Sequence, residues 1–73
     1  MARQRVTHRE LVELKGLLRE KKLTYEKMSE YVGISVSAFS DKINGNTVFN
    51  LVELAKIVRK TEIQPEDISK YFF

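Results

Sequence analysis

With 73 residues the chain has room for one domain, and a domain this short buries only roughly 60% of its unfolded surface, so its core is thin. The absence of cysteine and the single histidine, His8, exclude a disulfide framework and a Cys- or His-based metal cluster; packed apolar side chains alone must hold the fold. The net charge of +3 points to an anionic partner, nucleic acid first, and no run of about 20 apolar residues is present to span a membrane.

Residues 1–6, with Arg3 and Arg5, read as a flexible basic arm ahead of a single domain over residues 7–73. This N-terminus leads into a charged segment and not an apolar one, so it is not a signal peptide. Thr7 followed three residues later by Glu10 has capping-box spacing and predicts the start of a first helix. His8 reads as a solvated residue of its first turn. Leu11, Leu14 and Leu18 recur at helical spacing and mark the inner face. Gly16 weakens this helix slightly. Lys21 and Lys22 suit its C-terminus, where cations complement the dipole.

Thr24 is suited to cap a second helix, with Glu26 in its first turn. Met28 and Val32, four apart, face one way, and Ser29 is small enough to let a neighbouring helix come close. Gly33 ends the helix in a left-handed turn and Ile34 points back to the core. Ser35 then caps a short third helix, with Phe39 and Ile43 inward and Val36, Ser37, Ser40, Asp41 and Asn44 outward. Asn44-Gly45 is a stop signal. Phe49 precedes Asn50, which with Glu53 repeats the capping-box spacing; Phe49 and Leu54 have the spacing of a hydrophobic staple. Leu54, Ile57 and Val58 form the inner face of helix four. Pro65 suits the first position of helix five, with Glu66 and Asp67 in its first turn and Ile68 and Phe72 closing the core.

Two short helices joined by a tight glycine turn make a helix-turn-helix, here between Leu23 and Gly45. The run Leu23-Thr24-Tyr25-Glu26-Lys27-Met28-Ser29-Glu30-Tyr31-Val32-Gly33-Ile34-Ser35 resembles the helix-turn-helix of lambda-type repressors and Cro proteins. Phe39-Ser40-Asp41-Lys42-Ile43-Asn44-Gly45, then Phe49, Glu53, Ile57 and Tyr71-Phe72-Phe73, is similar to a phage-repressor branch common in Gram-positive bacteria and their phages. The resemblance covers most of residues 10–73. It implies an all-α, five-helix, lambda-repressor-like DNA-binding domain with a central helix-turn-helix.

By that resemblance Ser35, Val36, Ser37 and Asp41 fall where the family reads bases, with Ser40 on the same face. Tyr25, Lys42, Asn44 and Asn46 fall at or near phosphate-contacting positions, with Thr24 beside them, and Arg3 and Arg5 on the arm are suited to phosphates. Three positions depart from the family. Tyr25 stands where glutamine is frequent, Ser29 where alanine is usual, and Asp41 where a long polar or basic residue is common.

Plainer readings stand beside these. Val36 is equally a thymine-methyl contact and an exposed residue at a helix start. Ser35 is first a helix cap. Ser37 and Ser40 are ordinary solvent-facing serines when no DNA is present. Asp41 either accepts from a cytosine amino group or, as the expected reading, pairs with a neighbouring lysine. Lys42 contacts phosphate or lies over the core with its head in water. Asn44-Gly45 is first a helix stop and second a backbone N–H contact to phosphate. Tyr71 and Phe73 are either chain-end aromatics or a protein interface.

The charge is uneven. Arg3, Arg5, Arg9, Lys15, Arg19, Lys21 and Lys22 outnumber Glu10, Glu13 and Glu20, whereas residues 23–49 carry Lys27 and Lys42 against Glu26, Glu30 and Asp41. The leading expectation is a sequence-specific DNA-binding transcriptional regulator of phage or prophage type. The alternative is a phage antirepressor or modulator that keeps the fold but binds a repressor protein. The scarcity of cations around the recognition helix favours it, because counterion release supplies most non-specific DNA affinity. No nucleophile–base pair, glycine-rich phosphate loop or metal set is present, so neither an enzyme nor a cofactor is expected. No small-molecule ligand or membrane is expected either. The expected partners are a double-stranded operator and either a second copy on DNA or a repressor protein, in the cytoplasm.

Overall fold

Local side-chain caps start three of the helices, and a tertiary contact starts the first. In this computed structural model, which describes residues 10–72, α1 spans Val12–Glu20, with Leu11 at its N-cap and no side-chain cap. This corrects the start that Thr7 and Glu10 predict. Glu10 accepts from Lys15 Nζ at 2.6 Å instead, and Thr7, like His8 and the arm, lies outside the described residues. The buried Leu11 donates its N–H to the Ile43 carbonyl at 2.9 Å, so core packing sets this boundary.

The second helix, α2 (Tyr25–Val32), opens on Thr24, whose Oγ1 accepts from the Lys27 N–H at 3.2 Å. The third, α3 (Val36–Ile43), opens on Ser35, whose Oγ accepts from the Ala38 N–H at 3.0 Å. The fourth, α4 (Leu51–Thr61), carries the full capping box: Asn50 Oδ1 accepts from the Glu53 N–H at 2.8 Å, and Glu53 Oε1 accepts from the Asn50 N–H at 3.0 Å. Pro65 stands first in a 3₁₀ turn, Pro65–Asp67, that leads into α5 (Ile68–Phe72). The stretch that reads as one helix from Pro65 is therefore two elements.

Four helices end on a left-handed residue. Gly33 (φ 93°) and Gly45 (φ 91°) end α2 and α3, where the missing Cβ makes that conformation cheap. Lys22 (φ 59°) and Glu62 (φ 61°) do the same after α1 and α4 without that advantage. In each case the following N–H donates back to a carbonyl in the last turn: Leu23 to Leu18 at 2.8 Å, Ile34 to Ser29 at 3.0 Å, Asn46 to Asp41 at 2.9 Å and Ile63 to Val58 at 3.2 Å. Leu23, Ile34 and Ile63 then fold onto the core, the apolar contact that accompanies such helix ends.

The core collects Leu11, Leu14 and Leu18, Met28 and Val32, Phe39 and Ile43, Ile57, Ile63 and Phe72, all buried. An aromatic chain crosses it, edge to face from Tyr25 to Phe39 at 5.3 Å, tilted from Phe39 to Phe49 at 5.6 Å and edge to face from Phe49 to Phe72 at 6.3 Å between ring centroids. It ties α2, α3, the loop before α4, and α5 into one unit. α2 packs on α3 and α4, and α1 on α5. Ser29 is buried, its Oγ donating to the Glu26 carbonyl at 3.0 Å. Thr61, also buried, satisfies its hydroxyl on the Ile57 carbonyl at 2.7 Å.

Candidate nucleic-acid interface

The α2–turn–α3 unit presents one face of α3 outward because the other is consumed by the core. Phe39 and Ile43 are fully buried, and Ser35, Val36, Ser37, Asp41 and Asn44 are exposed. Ser40 is only half-buried, and its Oγ accepts from Asn44 Nδ2 at 3.2 Å. The five candidate base readers therefore share a helix, with Ser35 already engaged as its cap and Ser40 engaged by Asn44.

The charged residues behave differently from their expected plain readings. Asp41 pairs with no lysine among the described residues; its carboxylate takes a long, 3.5 Å contact from Asn46 Nδ2. The lysine beside it turns away. Lys42 Nζ donates to Glu53 Oε1 at 3.1 Å and to the Val48 carbonyl at 3.0 Å, with its ammonium 6.0 Å from the Phe49 ring centroid. The two side chains are only 18% and 12% exposed, so the Lys42 head is an internal strap and not a group in water. The strap joins the last turn of α3 to the first turn of α4.

The backbone N–H groups after α3 are also engaged. Those of Asn44, Gly45, Asn46 and Thr47 donate to the carbonyls of Ser40, Lys42, Asp41 and Asp41. They close the helix end, which corrects their secondary reading as open phosphate donors. The side chains of Asn44 and Asn46 remain exposed.

Thr24 is exposed at the start of α2, and Tyr25 is half-buried with its ring edge on Phe39. Both line a groove of about 310 Å³ together with Lys15, Arg19 and Lys22. Cations from α1 thus stand beside the start of α2, a juxtaposition that sequence spacing did not show. Arg3 and Arg5 lie outside the described residues. So does Phe73, while Tyr71 is half-buried against the core.

The family model of the Cro/C1-type HTH DNA-binding domain matches residues 13–73. The chain belongs to that family. No curated protein matches it. This Cro/C1-type domain is all-helical among its described residues and has the DNA-binding fold of transcription regulators that act on double-stranded DNA. No helix among the described residues is long and apolar enough to cross a membrane.

Two contributors to the site escaped sequence reasoning. Glu53 reads as a capping-box residue and as part of the family resemblance, yet it also holds Lys42. Lys56 has no expected role, yet its Nζ donates to the Val32 carbonyl at 3.2 Å and ties α4 to the end of α2. The Asn-x-x-Glu spacing is a signal for the first; nothing in the sequence marks the second.

Proposed function

We propose that this Cro/C1-type domain is a sequence-specific transcriptional regulator of phage or prophage type that lays α3 in the major groove. One observation carries the reading: Ser35, Val36, Ser37 and Asp41 stand exposed along α3 while Phe39 and Ile43 on its opposite side are sealed in the core. Val36 offers a methyl surface to thymine, and Ser37 and Asp41 offer hydrogen bonds to base edges. Ser35 and Ser40 join them at the rim. Phosphates are met by Thr24, Tyr25, Asn44 and Asn46, by the α1 cations beside Tyr25, and by Arg3 and Arg5 of the arm. Lys42 enters as the group that positions α3, through Glu53. A second copy on the operator is expected, since one such helix reads only a half-site. The protein works in the cytoplasm.

The test is titration of duplex DNA from upstream of its own operon, and of an unrelated duplex, across a range of salt. Replacing Ser37 and Asp41 by alanine should change sequence preference by about 1–3 kcal/mol per lost base contact while the melting temperature holds. No preference at low salt sinks the reading.

A second reading, an antirepressor or modulator, is favoured by the electrostatics of α3. Its outward face carries the Asp41 carboxylate, and the neighbouring ammonium is committed to Glu53. Such a face suits a basic, groove-facing surface of a repressor. Tight, Asp41-dependent binding of the neighbouring repressor, with no operator preference, decides for it.

A further inference from the structure

The cations missing from the outward side of α3 are gathered on another face. Tyr31 of α2 separates two shallow grooves against α4. One, of about 430 Å³, is lined by Tyr31, Val52, Ala55, Lys56 and Arg59. The other, of about 400 Å³, is lined by Leu23, Lys27, Glu30, Tyr31 and Lys60. Lys60 Nζ lies 5.3 Å from the Tyr31 ring centroid and holds the ring between the grooves. Four cations therefore surround an apolar floor with Glu30 as the sole carboxylate lining it. None of the four is in an ion pair among the described residues. The floor is open: Val52 is 64% and Tyr31 38% exposed. Lys56, bonded to the Val32 carbonyl, keeps the α2 and α4 walls together.

We propose that this α2–α4 face docks an acidic amphipathic segment of another protein. Its aliphatic side chains sit on Val52, Ala55 and the Tyr31 ring, and its carboxylates meet Arg59, Lys60 and Lys27. Charge complementarity selects the occupant's sign, and the apolar floor selects its class. A phosphate backbone would satisfy the cations but leave Val52 and Ala55 against polar atoms; an acidic segment with aliphatic side chains satisfies both. The face shares no residue with the outward side of α3, so it stands whether or not α3 reads DNA.

The experiment titrates the isotope-labelled full chain with a synthetic helix-forming peptide of glutamates with leucines at helical spacing. A second peptide of equal charge has serine in place of leucine. Amide shifts should concentrate around Tyr31, Val52 and Arg59, and the serine peptide should bind about tenfold more weakly. Val52→Ser, and separately the Arg59→Glu/Lys60→Glu pair, should each weaken the leucine peptide by about tenfold, while Ser37→Ala/Asp41→Ala should not. All these positions are exposed, and circular dichroism verifies that each variant is folded; if the charge-reversed pair unfolds, Arg59→Gln replaces it. Equal binding of the two peptides, or shifts centred on the Lys15–Arg19 groove, overturns the proposal as mere attraction of any polyanion. It is also overturned if the charge-reversed pair binds the peptide normally but lowers the salt dependence of DNA binding, which makes the face a phosphate track.

Discussion

Neutralising Glu53 tests how α3 is held. Glu53 Oε1 accepts from both the Asn50 N–H and Lys42 Nζ, at 3.0 and 3.1 Å, in a setting where its side chain is only 12% exposed. In Glu53→Gln the amide oxygen still accepts from Asn50, so the capping box survives. The carboxylate charge is lost, so the Lys42 ammonium meets a neutral amide oxygen there, as it already does at the Val48 carbonyl. Exchanging the ion pair for a hydrogen bond from the same ammonium to a neutral oxygen costs about 1–2 kcal/mol. Glu53→Ala removes the return bond to Asn50 as well and should cost about 3 kcal/mol. Against a total of order 5 kcal/mol for so small a domain, the alanine variant keeps only about 2 kcal/mol and should melt at a much lower urea concentration. Urea melts measure both variants. A cycle with Lys42→Met should return a coupling energy of about 1 kcal/mol or more. The same variants separate positioning from phosphate contact: removing a true phosphate contact lowers the salt slope of DNA binding by about 0.9, whereas Lys42→Met should leave it unchanged. Glu53→Gln within about 0.5 kcal/mol of the parent, or a lowered slope for Lys42→Met, refutes the strap.

Three further outcomes follow from the same geometry. Phe39→Ala should lose about 3–5 kcal/mol and unfold the domain or loosen it badly, because Phe39 is fully buried between Tyr25 and Phe49; a thermal melt that barely moves would contradict that placement. Glu62→Gly should stabilise by about 0.5–1 kcal/mol, since Glu62 carries the left-handed cost of a Cβ at φ 61° and glycine returns part of the gain as chain entropy. A calorimetric midpoint that falls would show that Glu62 is unstrained. Deleting residues 1–6 should weaken DNA binding to all sequences alike and flatten its salt dependence, as phosphate contacts from Arg3 and Arg5 require; a loss confined to one operator makes the arm a base reader.

The helix-turn-helix was legible because its determinants are local. Thr24, Ser35 and Asn50 cap whatever helix follows them, since their side-chain oxygens reach an N–H two or three residues on. Gly33 and Gly45 take left-handed turns that no neighbour needs to enforce. The inward positions of Met28, Val32, Phe39 and Ile43 follow from helical periodicity, which also leaves Val36, Ser37 and Asp41 on the opposite side.

Where the sequence misled, two segments distant along the chain had met. The start of α1 was decided by the Leu11–Ile43 backbone bond and the burial of Leu11. Lys42 turned from the surface to Glu53, eleven residues on, because α3 and α4 bring a carboxylate and a carbonyl within its reach. Left-handed turns at Lys22 and Glu62 persist because the next residues, Leu23 and Ile63, gain core packing that exceeds the backbone cost. The groove of α1 cations beside Tyr25 and the basic face around Tyr31 likewise exist only once the helices pack. Caps, turns and periodicity are encoded within a few residues, whereas the destination of a long charged side chain depends on which distant partner the fold carries to it.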